Sequence, residues 1–410
     1  MKKLALIIAV VALFTNLCIG ETSQMKYDEF DSLYALCEPY GFKIGACLSY
    51  NQLGDRAYLN VVSRHFNSLT CTNETKAYSL LDQNASRHST DGMPRMNFTN
   101  ADRMVRWAQQ NGIGVRGHVL VWDAYMTSWF FHEDYLDSKP FASQEVMRER
   151  LRSYIEQVIT HFETEFPGVI YCWDVVNEAI GDNSGEYELT DLRHIRTRRN
   201  GEANPFVLYV GSDYVEFSFL CAKDTVEALG ADIKLYYNDY NMFYDSKLIP
   251  ACELIERINS YAFDENGDYR TLIDGIGMQG YIGGYGTQSG CMNYSDIDKI
   301  ENAIRTYGAC GVEVQLTEMA VRNFDKTKAA EHAAFYAALM ERLMGINTPD
   351  YAPLTAVTIW GMNDVGEQNN WNTYSWKLNG AYGGLLTSKN EIKTSFEAVY
   401  KVLGGGEFAE

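Results

Sequence analysis

The stretch YCWDVVNEAI, residues 171–180, decides how the rest of the chain is read. An apolar run carrying Trp173 and Val175–Val176 ends in Asn177-Glu178, an amide beside a carboxylate, before Ala179 and Ile180 resume it. A near-continuous apolar run of this kind reads as a strand buried on both faces, as in a parallel sheet covered by helices. A charge at the tip of such a strand needs a reason.

Working outward, the same texture recurs along the chain. Short apolar, β-branched runs stand at 43–49, 66–71, 114–122, 169–178, 233–239, 273–280, 312–318 and 354–361. Stretches of helical period lie between them, such as 101–112, 150–162 and 295–308. In the first of these, Asp102 is placed to cap a helix, Met104, Val105, Trp107 and Ala108 share a face, and Gly112 follows its end. Strands separated by helices imply parallel pairing through crossovers. The expected fold is α/β, a single (β/α)8 barrel with its site at the C-terminal ends of the strands. A doubly wound dinucleotide fold would need a glycine-rich turn after the first strand, and SYNQLGDR supplies none.

Bulk composition agrees with one large domain. The chain has 410 residues and 46% hydrophobic content, enough for a sizeable core. Residues 1–20 read as a secretory leader: Lys2 and Lys3, an apolar run, then Cys18-Ile19-Gly20 at cleavage spacing. A lipid anchor at Cys18 is disfavoured, because Asn16 and Leu17 are poor small-residue positions. The catalytic domain is expected over 21–403, with 404–410 a flexible tail. A net charge of −19 repels nucleic acid and anionic membrane surfaces and leaves neutral polysaccharide unaffected. The mature protein is expected to be exported, soluble and monomeric. Of nine cysteines, none are spaced as CxxC, and Cys47, Cys71 and Cys172 fall on strands as buried free thiols.

In a barrel the strand ends converge on one face, and catalytic side chains project there. The predicted strands end at Thr72-Asn73-Glu74, His118 with Trp122, Asn177-Glu178, Asn238-Asp239, Gln279, Glu318 and Trp360. One such carboxylate would be an ordinary solvated residue; polar ends on most strands make a site. Glu178 and Glu318 stand out as a pair suited to cleaving a glycosidic bond, one as proton donor and one as nucleophile. Trp122, Trp360 and Trp376 offer flat apolar faces for sugar rings.

The ordered motifs FNSLTCTNETK, RGHVLVW, WDVVNEA, YNDYN, DGIGMQG, QLTE and the WG…SW segment carry a resemblance. The chain resembles a glycoside hydrolase family 10 endo-β-1,4-xylanase over essentially its whole mature length. That resemblance implies that Glu178 is the acid/base and Glu318 the nucleophile of a retaining double displacement on xylan or xylo-oligosaccharide. It implies that Asn177 holds the sugar 2-hydroxyl, that Asn73, Lys76, His118 and Gln279 bind sugars upstream of the cut, and that Trp360 and Trp376 line that floor, with Trp122 nearby.

Several positions depart from the family pattern. Thr72 stands where a glutamate usually contacts the distal sugar. Asp123-Ala124-Tyr125 replaces His-Ser-Gln, which is expected to remove a polar group near the cleavage point. Tyr281 replaces the histidine that contacts the nucleophile, and Ala320 replaces the aspartate that orients that histidine. Losing both together is coherent, because an aspartate without its imidazole would be an unpaired buried charge. A tyrosine hydroxyl can donate to the nucleophile unaided, so Tyr281 is expected to bond Glu318; the alternative is a ring that merely fills the vacated volume.

No cofactor or metal is implied. Asp264, Asn266 and Asp268 resemble part of a calcium loop but lack the closing carboxylate, and a polar hairpin explains them better. The elaborated loops at 283–295 and 363–376, the second with Trp371, are expected to shape binding of decorated chains. Two alternatives stay open: a related barrel glycanase for another β-linked polysaccharide, and a glycan-binding homologue with a weakened site.

Overall fold

The computed structural model describes residues 31–283, 292–365 and 381–406. Eight parallel strands close on themselves: β1 (Lys43–Leu48), β2 (Ser68–Cys71), β3 (Gly114–Gly117), β4 (Ile170–Asn177), β7 (Lys234–Asp239), β8 (Gly275–Met278), β10 (Glu313–Val321) and β11 (Leu354–Ile359). Pairing of β10 and β1 with β11 completes the ring. All eight runs read from the sequence are strands of this barrel. Three two-residue strands are additions: β5 (Arg198–Arg199), β6 (Glu202–Ala203) and β9 (Tyr281–Ile282).

Helices cover the ring, and their apolar faces build the core with the outward side chains of the strands. The longest, Gln144–Glu165, is capped by Ser143, whose hydroxyl accepts from the Val146 N–H at 3.4 Å. The helix over Thr99–Gln110 starts earlier than expected, so Asp102 lies inside its first turn and is not its cap. Its carboxylate meets His161 at 2.8 Å instead, while Met104, Val105 and Ala108 are buried as read. Cys47, Cys71 and Cys172 are buried free thiols. Among the described residues no helix is long and apolar enough to cross a membrane.

The barrel axis is polar. Tyr236, Gln315, Arg116 and Asp174 stack from floor to mouth: the Tyr236 hydroxyl accepts from Gln315 at 3.0 Å, Arg116 donates to Gln315 at 2.9 Å, and Arg116 pairs with Asp174. Gly277 makes room for this filling, since a Cβ there would overlap the Asn238 amide, Arg116 and Thr317.

Candidate active site

Strand β4 ends abruptly at its C-terminal tip. Asn177 still pairs with Asn238 of β7, but Glu178 turns into the left-handed region at φ 54°, uncommon for a residue with a Cβ. The turn is held from below, where the Tyr237 hydroxyl accepts the N–H groups of Ala179 and Ile180, each at 2.9 Å. Glu178 thereby leaves the ladder and faces the barrel mouth. Glu318, two residues past Leu316 on β10, reaches the same space; each glutamate is about 5% exposed.

Amides join the two carboxylates. Gln279 donates to Glu178 Oε1 at 2.9 Å and also lies 3.5 Å from Asn177 Oδ1. Asn238 donates to that same Asn177 oxygen at 2.8 Å and reaches Glu318 Oε1 at 3.4 Å. Thr317 of β10 steadies Asn238 by donating to its amide oxygen at 2.6 Å. Asn177 uses only its oxygen in this bridge. Its Nδ2 is buried with no partner among the described residues, as is the Trp122 indole N–H. Buried donors left unpaired are costly unless a ligand satisfies them.

Glu318 has its own supports. Tyr281 donates to its Oε2 at 2.5 Å, the contact the sequence leads one to expect. The β9–β10 register sets Tyr281 directly opposite Ala320, and both pack with Cys47 and Trp360. A methyl group at 320 leaves the phenol room to stand over the Glu318 carboxylate. His118 comes from the other side, its Nε2 4.0 Å from Glu318 and its Nδ1 2.7 Å from Asp174. Burial pushes the Glu318 carboxyl above its ordinary value, while His118, the Tyr281 hydroxyl and Lys76 pull it back. Burial would likewise raise Asp174, but Arg116 and His118 hold it below the usual carboxylate range.

A cavity of about 360 Å³ lies at the same end of the barrel, between Thr72, Asn73, Lys76, Tyr125 and Trp360. Lys76 bonds Asn73 at 3.2 Å and lies over the Trp122 and Tyr125 rings, 5.0 and 4.5 Å from their centroids. Burial pushes its ammonium down to about 8, against the pull of Glu318 and Glu178. Glu74 belongs to the framework: its carboxylate accepts the Tyr50 N–H at 2.6 Å. The Thr72 hydroxyl is buried with no partner among the described residues.

The structure thus brings together Asn73, Lys76, His118, Trp122, Asn177, Glu178, Gln279, Tyr281, Glu318 and Trp360. Trp376 and Trp371 lie outside the described residues, as does most of each elaborated loop. Asp264 accepts from the N–H groups of Asn266 and Asp268, at 2.8 and 2.9 Å, inside a hairpin closed by Phe263 and Tyr269. Its carboxylate is turned inward, as a hairpin requires. Among the described residues no group of three or more His, Cys, Asp or Glu side chains is placed to hold a metal ion.

The segment after Trp122 reaches the carboxylates through a residue from elsewhere: Asp123 meets Arg199 at 3.0 Å and Arg199 meets Glu178 at 3.1 Å. Sequence reasoning missed Arg199, whose only local signal was the Asn200-Gly201 pair that turns the β5–β6 hairpin. It also missed Asp174, a wholly buried charge inside the stretch that opened the reading. Asn238 was seen as a strand end but not as the link between the two glutamates.

The glycosyl hydrolase family 10 model matches residues 32–402. The chain belongs to that family. Endo-1,4-beta-xylanase B of Butyrivibrio fibrisolvens is 29% identical over 89% of this chain and 52% of its own length. Endo-1,4-beta-xylanase Y of Acetivibrio thermocellus is 29% identical over 90% of this chain and 32% of its own length. The chain therefore spans about half of one such family 10 relative and about a third of the other. Among solved structures, the CBM22-1–GH10 modules of Clostridium thermocellum xylanase 10B, complexed with xylohexaose, superpose with a TM-score of 0.75 at 27% identity, covering 94% of this chain and 69% of that one. Family 10 structures share the (β/α)8 fold seen here.

Proposed function

We propose that the chain is an exported endo-β-1,4-xylanase that cuts internal xylosidic bonds with retention of configuration. The observation that carries the reading is the Asn177 bridge: one amide oxygen ties Gln279 and Asn238, each of which reaches one glutamate, while Asn177 Nδ2 is left for a ligand. A sugar 2-hydroxyl at the reacting ring suits that donor. The xylanase names of the family 10 relatives and the xylohexaose bound by the Clostridium thermocellum modules support xylan as the substrate class.

In this mechanism Glu318 attacks the anomeric carbon while Glu178 gives its proton to the leaving oxygen. Glu178 then takes a proton from the water that cleaves the glycosyl–Glu318 ester. Both steps need the two carboxyl groups on opposite sides of one anomeric carbon, at a separation of roughly 5–5.5 Å for retention. Tyr281, His118 and Lys76 favour the ionised nucleophile that burial opposes. Export rests on the leader-like residues 1–20.

Reducing-sugar release from xylan against carboxymethyl cellulose tests the substrate. NMR of the first-formed anomer tests retention. Glu178→Ala is expected to lower turnover on xylan by about 10²–10⁴-fold, and N-terminal sequencing of protein from the culture medium tests export. Equal release from both polymers sinks the xylan reading, and an initial α-anomer sinks retention.

A further inference from the structure

The β5–β6 hairpin has one evident purpose, which is to deliver Arg199. Its two central residues, Asn200 and Gly201, both have positive φ, 54° and 83°, as the tightest hairpin turn requires. Its base is fastened to the tip of β4. Arg196 donates to the Glu178 carbonyl at 3.1 Å and pairs with Glu186 at 2.7 Å, and the buried Asn204 donates to the Arg196 carbonyl at 3.0 Å. The hairpin cannot drift without loosening the turn that carries Glu178.

Arg199 spends three donors here. Its Nε meets Asp123 Oδ2 at 3.0 Å, Nη1 meets Glu178 Oε2 at 3.1 Å, and Nη2 meets the Glu178 carbonyl at 3.3 Å. Gln279 holds the other carboxylate oxygen. Each Glu178 carboxyl oxygen thus accepts one donor, the guanidinium on Oε2 and the Gln279 amide on Oε1. Other titratable groups also face Glu178: Glu318 from β10, Asp239 from β7, Lys76 after β2 and the neutral Tyr125 phenol after β3. Among the described residues, Arg199 is the cation in hydrogen-bond contact with the Glu178 carboxylate.

We propose that Arg199 is a positioning residue that holds Glu178 as the base for the second half of the reaction, with Asp123 as its counter-charge. The proposal rests on the retaining glycosidase reading above. In that half a water oxygen bonds to the anomeric carbon, the bond from that carbon to Glu318 breaks with its electron pair returning to Glu318, and the water proton goes to Glu178. A guanidinium on Oε2 favours the ionised Glu178 this step needs and opposes the protonated Glu178 of the first step. Arg199 therefore acts with opposite sign on the two halves. Asp123, tied to Nε, keeps the guanidinium from neutralising Glu178 outright.

A merely structural arginine would slow both halves together. The test uses the full chain with Arg199→Gln and Arg199→Lys, each checked for an unchanged melting profile. A dinitrophenyl xylobioside has a leaving group that needs no protonation, so its steady state reports the second half. Arg199→Gln is expected to lower kcat on that substrate about tenfold, a share of the 10²–10⁴ that general base catalysis supplies. Its kcat/KM, which reports the first half, stays within about twofold. Azide, a nucleophile needing no base, restores the lost turnover, and Arg199→Lys recovers part of it. On xylotetraose, where the acid step matters, the alkaline limb of kcat/KM moves to higher pH.

Equal losses in kcat and kcat/KM, no azide rescue and an unmoved alkaline limb overturn the proposal, as do wild-type constants throughout. A wild-type enzyme that leaves xylobioside and xylan intact overturns the glycosidase reading first, and this one with it.

Discussion

The described residues leave a hollow at each end of the barrel, and only one of the two is at the end where strand tips converge. At the floor, about 720 Å³ opens between the N-terminal starts of the strands, lined by Lys43, Asn67, Tyr171, Lys234, Tyr236 and Glu313. Floor groups are mostly satisfied: Asn67 accepts the Ile44 N–H at 3.0 Å, Tyr171 bonds Ser68 at 2.8 Å and Tyr236 donates to Glu313 at 2.7 Å. The mouth is in debt: it sets two buried carboxylates together and leaves donors on Asn177 and Trp122 without a partner among the described residues. Unmet hydrogen-bonding demand, rather than volume, separates a place that waits for a hydroxyl-rich ligand from one that only drains to solvent.

If that contrast is right, adding charge to the mouth should be the most damaging change. Ala320 sits opposite Tyr281, whose neutral phenol cannot balance the charge of a carboxylate. Ala320→Asp is expected to cost about 3–5 kcal/mol of stability, the penalty of an uncompensated buried charge. Adding Tyr281→His should return much of that loss, because the imidazole would supply the missing partner. A thermodynamic cycle over the two single variants and the double measures this coupling, and simple additivity would falsify the paired replacement.

Next in size is the phenol itself. Tyr281→Phe removes a hydrogen bond to an ionised group, worth about 1.5–3 kcal/mol. If that bond acts on the transition state, kcat/KM at neutral pH falls by roughly ten- to a hundredfold. The sign of the pH effect follows from which form the hydroxyl favours. It donates to ionised Glu318 and so pulls the carboxyl down against burial; without it the acid limb of the rate profile moves to higher pH. A volume-filling ring would leave that limb where it was.

How much of this was legible in the chain depends on range. The eight strands showed themselves because burial on both faces forces apolar runs, and the site residues at their tips broke those runs visibly. The Tyr281–Ala320 replacement was legible too, as two departures that make sense only together. Asp174 was hidden by its apolar neighbours Trp173 and Val175, since the pattern of a strand does not say which polar residue points down the barrel axis. Arg199 was hidden for a different reason. Its contacts with Asp123 and Glu178 span 76 and 21 residues, and an arginine in a polar loop looks like any other. Asp102 was misplaced as a cap because the helix begins three residues before it, at Thr99.

The smallest effects give the sharpest comparison, because they should differ in sign between the two ends. Burial raises the Glu318 carboxyl above its ordinary value, so the folded protein holds that proton more tightly than the unfolded chain does. Stability associated with it is full below the unfolded carboxyl value and is lost as pH rises through the folded one. Glu318→Gln removes the charge while keeping an acceptor for Tyr281. It is expected to stabilise the fold by about 0.5–2 kcal/mol at neutral pH, with the gain vanishing in acid, while abolishing turnover. At the floor, Glu313→Ala deletes the acceptor for Tyr236 and should cost about 1 kcal/mol while leaving kcat unchanged. Denaturant midpoints at neutral and acid pH, read beside kcat, test both at once. A mouth variant that loses stability at neutral pH, or a floor variant that loses turnover, would show that strain is not concentrated where the carboxylates meet.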